Sequence, residues 1–250
     1  MEENLFLVYK NLGETPLEAL ERLRLDKNLG DIPLTYAGRL DPAAEGLLLI
    51  LGGETCKEKD TYLGLPKVYT AQILFGITTD THDLLGIPAS SLHVLPDTTT
   101  FANSLENILQ TYPSTFIQPY PAYASKTVRG KPLFTYAREG EVVLLPEHEV
   151  TMHAITLEKI EEITSADIGE RVTRLLSLIK GDFRQEAIGN AWKEILHHDR
   201  KYCMATVTLT VSSGFYVRVF ADTLGKELGT PAALFSLIRT QVGSYTLDIE

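Results

Sequence analysis

Residues 36–50 read YAGRLDPAAEGLLLI. One aspartate, Asp41, stands among glycines and small residues directly ahead of an apolar run. Pro42 fixes its own φ and pushes Asp41 towards extended backbone, while Gly38 and Gly46 permit tight turns. The run GLLLILG is too short for a typical helix and is bounded by glycines, so it predicts a buried strand just after the Asp41 loop. A loop held by a core strand presents a carboxylate rigidly. Asp before Pro is also a turn initiator, and spacing alone leaves both readings open.

Outward from this stretch, NLFLVY (4–9) reads as a short strand. PLEALERLRLDKNLG (16–30) reads as a helix opened by Pro16 and closed by Gly30, with Leu17, Leu20 and Leu23 facing inward. KVYTAQILFG (67–76) alternates, with Tyr69, Ala71, Ile73 and Phe75 on one face; YCMATVTLTV (202–211) does the same with Cys203, Ala205, Val207, Leu209 and Val211. Between Glu162 and Lys201 the period becomes helical: Ile168, Val172, Leu175 and Ile179, a break at Gly181, then Phe183, Ala187, Ala191 and Ile195. Val217, Phe220 or Ala221, Leu224 and Leu228 again have helical spacing, although GFYVR (214–218) equally fits the end of a strand. No internal repeat, low-complexity tract or Pro/Ser-rich linker divides the chain. One α+β domain with a largely antiparallel sheet is the expectation.

The 250 residues, 44% of them hydrophobic, suffice for a buried core and set disorder aside. Cys56 and Cys203 lack CxxC or Cys/His spacing, which fits a reducing compartment. The opening MEENLFLVYKNLG has no basic region ahead of a long apolar segment, so a cytoplasmic protein with no membrane partner is expected. The absence of GxGxxG, and of GxxxxGK followed by Ser or Thr, removes support for dinucleotide and P-loop chemistry. A net charge of −10 argues against a nucleic-acid partner, yet basic residues bunch in SKTVRGKPLFTYAR (125–138) and CKEKD (56–60) while acids collect in LEKIEEITSADIGE (157–170).

Four stretches, YAGRLDPAAEGLLLILGGETCK, KVYTAQILFGITTDTHDLLG, YPAYASKTVRGKPLFTYAREGEVV and SSGFYVRVFADTLGKELG with LFSLIRTQVG, resemble in order the motifs of the TruB family, tRNA pseudouridine synthases acting on the T arm. The likeness covers most of Leu5 to Tyr245. The GRLD and GLLL element is shared with related rRNA pseudouridine synthases, and the KVYTA block points to TruB. The resemblance implies a pseudouridine synthase catalytic domain with a central mixed, largely antiparallel sheet flanked by helices. Its reaction would isomerise a uridine, specifically uridine-55 of tRNA, with no cofactor and no metal. It places the nucleophile on Asp41 and the partner that keeps it ionised on Arg218.

By the same resemblance Tyr69 stacks on the extruded base, in competition with its reading as a core aromatic. Leu237 lies near the base or simply in the core, with Arg239 close by. Lys126, Arg129, Lys131 and Arg138 belong to a segment that closes over the RNA arm and are expected to meet phosphates. Arg39 and Lys57 extend the substrate-binding set, and Tyr36 joins it where the family has His. Lys10 and Gly13 echo the family's N-terminal KPxGxTS element. Asp80 and Asp83 in TDTHD are explained by a turn with side-chain caps, and no metal is expected there.

Two departures from the family pattern shape further expectations. The helical stretch at 163–200 reads as an insert between two strands; it either packs its apolar stripes on the catalytic sheet or on itself as a structural addition, or borders the RNA in part through Lys180, Arg184, Lys193 and Arg200. The chain stops soon after QVGSYTLDIE, so no C-terminal PUA domain is expected, and a monomer is. Pseudouridylation of another RNA stem-loop is the nearest rival reading. A non-catalytic RNA-binding or RNA-folding protein is a more distant one, against which the set Asp41, Tyr69 and Arg218 speaks.

Overall fold

In the computed structural model, which describes residues 4–91 and 98–247, the run after Asp41 is a strand buried along its length. In chain order the elements begin with β1 (Leu5–Lys10), α1 (Pro16–Asp26), β2 (Leu34–Ala37), β3 (Ala44–Gly52), α2 (Lys59–Gly64), β4 (Lys67–Phe75), β5 (Ile77–Thr79) and β6 (Pro88–Ser91). They continue with α3 (Thr98–Thr111), β7 (Thr115–Pro119), β8 (Thr127–Val128), β9 (Lys131–Pro132), α4 (Leu133–Glu139) and β10 (Glu147–Thr164). Last come α5 (Ser165–Leu178), α6 (Gln185–Ile195), β11 (Lys201–Val211), α7 (Val217–Glu227), β12 (Ala232–Val242) and β13 (Tyr245–Thr246). The main sheet runs β1-β3-β12-β4-β11-β10-β7, with β2 also on β3 and β13 on β12. The β3–β12 pair is parallel and its other pairs are antiparallel, as the α+β expectation requires.

Alternation along β4 and β11 sorts the core into two layers. Tyr69, Ala71, Ile73 and Phe75 join Ala205, Val207, Leu209 and Val211 on one face, packed against Phe101, Leu105 and Leu109 of α3 and Phe220, Ala221 and Leu224 of α7. Leu74, Tyr202 and Met204 on the opposite face meet Ile168, Val172 and Leu175 of α5 and Ile188 and Trp192 of α6. Strand β3 is covered twice: Leu48 and Ile50 pack with Ala19, Leu20 and Leu23 of α1, while Leu47, Leu49 and Leu51 pack with Tyr62 and Val242. Burial on both faces explains why GLLLILG shows no polar alternation.

Several local expectations need correction. Leu17 is 59% exposed, and Ala19 takes the inward place beside Leu20 and Leu23. Helix α1 stops at Asp26, ahead of Gly30. In α6 the inward residues are Ile188 and Trp192 rather than Ala187 and Ala191, because the indole is seated in the core with Nε1 donating to Gly86 O at 3.1 Å. GFYVR starts a helix, with Tyr216 capping α7. The acidic LEKIEEIT belongs to β10, whose alternation is interrupted by register shifts between Met152 and Ala154 and between Leu157 and Lys159. The helical segment therefore spans α5 and α6 only. It rises from the hairpin of β10 and β11, which pairs Thr164 with Lys201 and is tied at its base by Ser165 N to Arg200 O at 2.9 Å.

Candidate active site

Asp41 lies where the edge of β3 is shared: β2 pairs with its C-terminal half and β12 with residues 44–46. The loop is held from several directions. Ala44 N donates to Asp41 O at 2.9 Å, and Gly13 N donates to Pro42 O at 2.9 Å, which gives the Lys10–Gly13 element its place as a buttress. Arg239, only 1% exposed, donates from Nε to Leu47 O at 2.7 Å and from Nη2 to Gly38 O at 3.2 Å. Its guanidinium lines the pocket, but its donors serve the loop backbone. Gly38, at φ +82°, makes the expected turn. Gly46 does a different job: it sits inside β3 at φ +110°, and a Cβ there would stand 2.3 Å from Arg239 O. Close approach of β12, rather than a turn, demands glycine.

Arg218 emerges from the first turn of α7 and is buried. Its Nη1 donates to Thr81 O at 3.0 Å and its Nη2 to Tyr123 O at 3.0 Å, so two separate segments hold the guanidinium plane. Nε lies 3.0 Å from Asp41 Oδ2, an ion pair too oblique to count as a hydrogen bond. Burial alone would weaken the guanidinium's charge, but Asp41 and Asp83 outweigh it and hold the group more firmly protonated than usual. The Asp41 carboxylate keeps 47% of its side-chain exposure, so one face is pinned and the other is open to a substrate.

Asp83 is the site residue that sequence reading missed. It is buried, and its Oδ1 accepts from Thr81 Oγ1 at 2.7 Å and from Leu85 N at 2.9 Å, the capped turn expected. The same turn sets the carboxyl near Arg218, where burial pushes its pKa up against the opposing pull of the guanidinium. The signal in sequence was its place in TDTHD, which looked sufficient as a turn. Tyr120 and Tyr216 were also overlooked. Their rings pack edge to face at 5.7 Å in the pocket wall, and Gln118 pairs with the Tyr216 backbone in both directions, Nε2 to O at 3.0 Å and N to Oε1 at 2.8 Å.

A cavity of about 410 Å³ opens beside Asp41, lined by Tyr36, Tyr69, Tyr120, Leu237 and Arg218 among others. Tyr69, at 7% exposure, is a core residue that also forms a wall of this cavity. Leu237 is partly buried on the same wall. Lys67 also lines it; burial lowers its pKa to about 8, and Nζ donates to Leu63 O and Leu65 O. A second cavity, of about 320 Å³, adjoins Asp41 from the side of Tyr123, Phe134, Arg138, Phe183 and Arg184.

The expected basic set divides. Arg39, on the Asp41 loop, donates to Ser125 Oγ at 2.6 Å. Lys126 is exposed above the Tyr120 ring, 5.0 Å from its centre. Arg129 and Gly130, at φ +50° and +80°, form the two-residue turn between β8 and β9, leaving the arginine at the exposed tip. Lys131 is engaged by Glu139 and Glu141, and Arg138 donates to Asp182 O at 3.0 Å. Lys57 pairs with Glu54 away from both cavities, and its neighbour Lys59 lines the first cavity instead. Lys180 lies 3.8 Å from Glu18, and Arg184 is paired with Asp80.

Residues 29–174 match the model of the TruB family pseudouridylate synthase N-terminal domain, more than half of the chain. The chain belongs to the TruB family. A curated TruB-type relative from Bacillus licheniformis, named tRNA pseudouridine synthase B, is 30% identical over 250 residues, covering 99% of this chain and 68% of the relative. One of the same name from Staphylococcus saprophyticus is 28% identical over 248 residues, covering 99% and 69%. The solved Cbf5-Nop10-Gar1 complex contains a chain of like fold, with a TM-score of 0.57, 16% identity, and coverage of 98% of this chain and 50% of that one. The chain thus spans about two thirds of those curated relatives and about half of that structural neighbour. TruB membership makes this an RNA pseudouridine synthase, an intramolecular isomerase.

Proposed function

We propose that this TruB-family chain converts a uridine in the T arm of tRNA, uridine-55, to pseudouridine in the cytoplasm, with Asp41 as nucleophile. The observation that carries the reading is the pair of Asp41 and buried Arg218 at the mouth of the cavity lined by Tyr69 and Leu237. The names of the curated relatives support the choice of tRNA.

The reaction breaks the bond from C1′ to N1 of uracil and forms one from C1′ to C5; N1 gains a proton and C5 loses its hydrogen. Attack by an ionised carboxylate on the base or on the sugar carbon makes a covalent intermediate that lets the base turn over. Either route needs a carboxylate that is oriented and open on one face, and the contact of Asp41 with Arg218 and its exposure support that role. The Tyr69 ring and Leu237 offset part of the stacking an extruded uridine gives up. Lys126 and Arg129 are exposed on the segment before α4, which supports a role for them in meeting phosphates.

The test is pseudouridine mapping in unmodified tRNA treated with the purified protein and with Asp41→Asn. A single new pseudouridine in the T arm, lost in the folded variant, is expected. A modified uridine elsewhere would move the substrate, and a fully active Asp41→Asn would remove the nucleophile.

A further inference from the structure

We infer that Arg184, contributed by the turn between α5 and α6, is a positioning residue that clamps the two segments holding Arg218. This deepens the proposed function and rests on the reading of Arg218 as Asp41's partner. The Arg218 guanidinium is aimed by two backbone carbonyls, Thr81 O and Tyr123 O, which lie on loops far apart in sequence. Among the described residues, no backbone hydrogen bond joins those two loops directly.

The side chain of Arg184 does. Its Nη1 and Nη2 grip Asp80 with distances of 2.7 Å to Oδ2 and 3.3 Å to Oδ1, and Asp80 precedes Thr81. The same guanidinium lies over the Tyr123 ring, 4.5 Å from its centre, and the Tyr123 hydroxyl donates to Asp80 Oδ2 at 3.3 Å. One planar cation therefore joins the residue before one carbonyl anchor to the residue that supplies the other. Arg184 is itself held at φ +63°, a conformation sparsely populated by residues other than glycine. Beside it Arg138 donates to Asp182 O at 3.0 Å and lies between the Phe134 and Phe183 rings, fastening the turn to α4. An isolated exposed pair would contribute little, but a two-point grip with a stacked ring fixes geometry. The turn earlier expected to border RNA phosphates thus has its arginine committed to Asp80, and its effect on the reaction runs through Arg218.

The experiment compares wild type, Arg184→Ala and Arg184→Lys. Single-turnover pseudouridine formation on a T-arm RNA hairpin is measured beside equilibrium affinity for that hairpin. Arg184→Ala should slow the step about tenfold with affinity unchanged within twofold, and Arg184→Lys should fall between, since it keeps charge without the planar two-point grip. Hydrogen exchange of the free proteins, which needs no RNA, should quicken in peptides covering 77–87 and 119–128 and stay unchanged in α7. Unchanged exchange in both peptides overturns the clamp whatever the activity, as does weakened affinity at an unchanged rate, which would make Arg184 an RNA contact. Should Arg184→Ala not fold, Arg184→Lys decides by the same two readouts. A wild type inactive on the hairpin would sink the T-arm reading, while the exchange result still decides the clamp.

Discussion

Replacing Arg218 by Lys keeps the charge and removes the plane. The native guanidinium makes three contacts from one rigid fork: Thr81 O, Tyr123 O and the ion pair with Asp41 Oδ2, each at 3.0 Å. A lysine ammonium at the end of a flexible stem cannot meet all three in that geometry. Hydrogen bonds to charged groups are worth about 1.5–3 kcal/mol each. The carbonyl anchors are already made in the free protein, so losing one lowers stability by about 1.5–3 kcal/mol, read as a shift in the urea midpoint. Losing the aim at Asp41, an ion pair rather than a hydrogen bond, acts on the reaction instead, and a loss of about 1.5–3 kcal/mol of transition-state stabilisation there slows it roughly 10- to 150-fold. The assay is single-turnover release of tritium from C5-labelled uridine in a T-arm hairpin, with protein in excess, at a temperature where the variant is folded. The variant's RNA affinity should stay within threefold. A release rate within twofold of wild type, with the stability loss present, would make Arg218 a structural post and refute its role at the carboxylate.

Tyr69→Ala should lower turnover more than RNA affinity, because stacking acts at one base while phosphate contacts are spread; full activity per folded molecule would leave Tyr69 a core residue only. Gly46→Ala should destabilise by more than about 2 kcal/mol in urea unfolding, from positive-φ strain and collision with the Arg239 backbone; a midpoint equal to wild type would refute the close approach. Burial alone would raise the Asp222 carboxyl, but His82 and Lys226 hold it at about 2. Its folded pKa lies below the unfolded value of about 4, so its stabilisation is present above that value and is lost as pH falls towards about 2. Thermal melting across that window should show a shallower acid loss in Asp222→Asn, and identical slopes would refute the assignment.

What was legible in the sequence was whatever depends on neighbours along the chain. Period-2 alternation in β4 and β11 and the unbroken apolar run of β3 gave their strands and inward faces, because side-chain direction follows from backbone geometry alone. The Asp41 loop was legible through Pro42 and Gly38, and the TruB motifs singled out Asp41, Tyr69 and Arg218, which the fold brings to one cavity. Where burial depends on what arrives from elsewhere, local pattern misled. Leu17 has the right spacing and faces solvent, and the inward face of α6 follows the large Trp192 instead of two alanines. Only the tertiary structure could show that Gly46 yields to β12, that Arg239 is spent on carbonyls, or that Asp83 joins Arg218. Those contacts join residues more than a hundred positions apart, and sheet order decides them. The commitment of Arg184 to Asp80, 104 residues away, is of the same kind: a basic residue in sequence declares its charge, and the fold decides which carboxylate takes it.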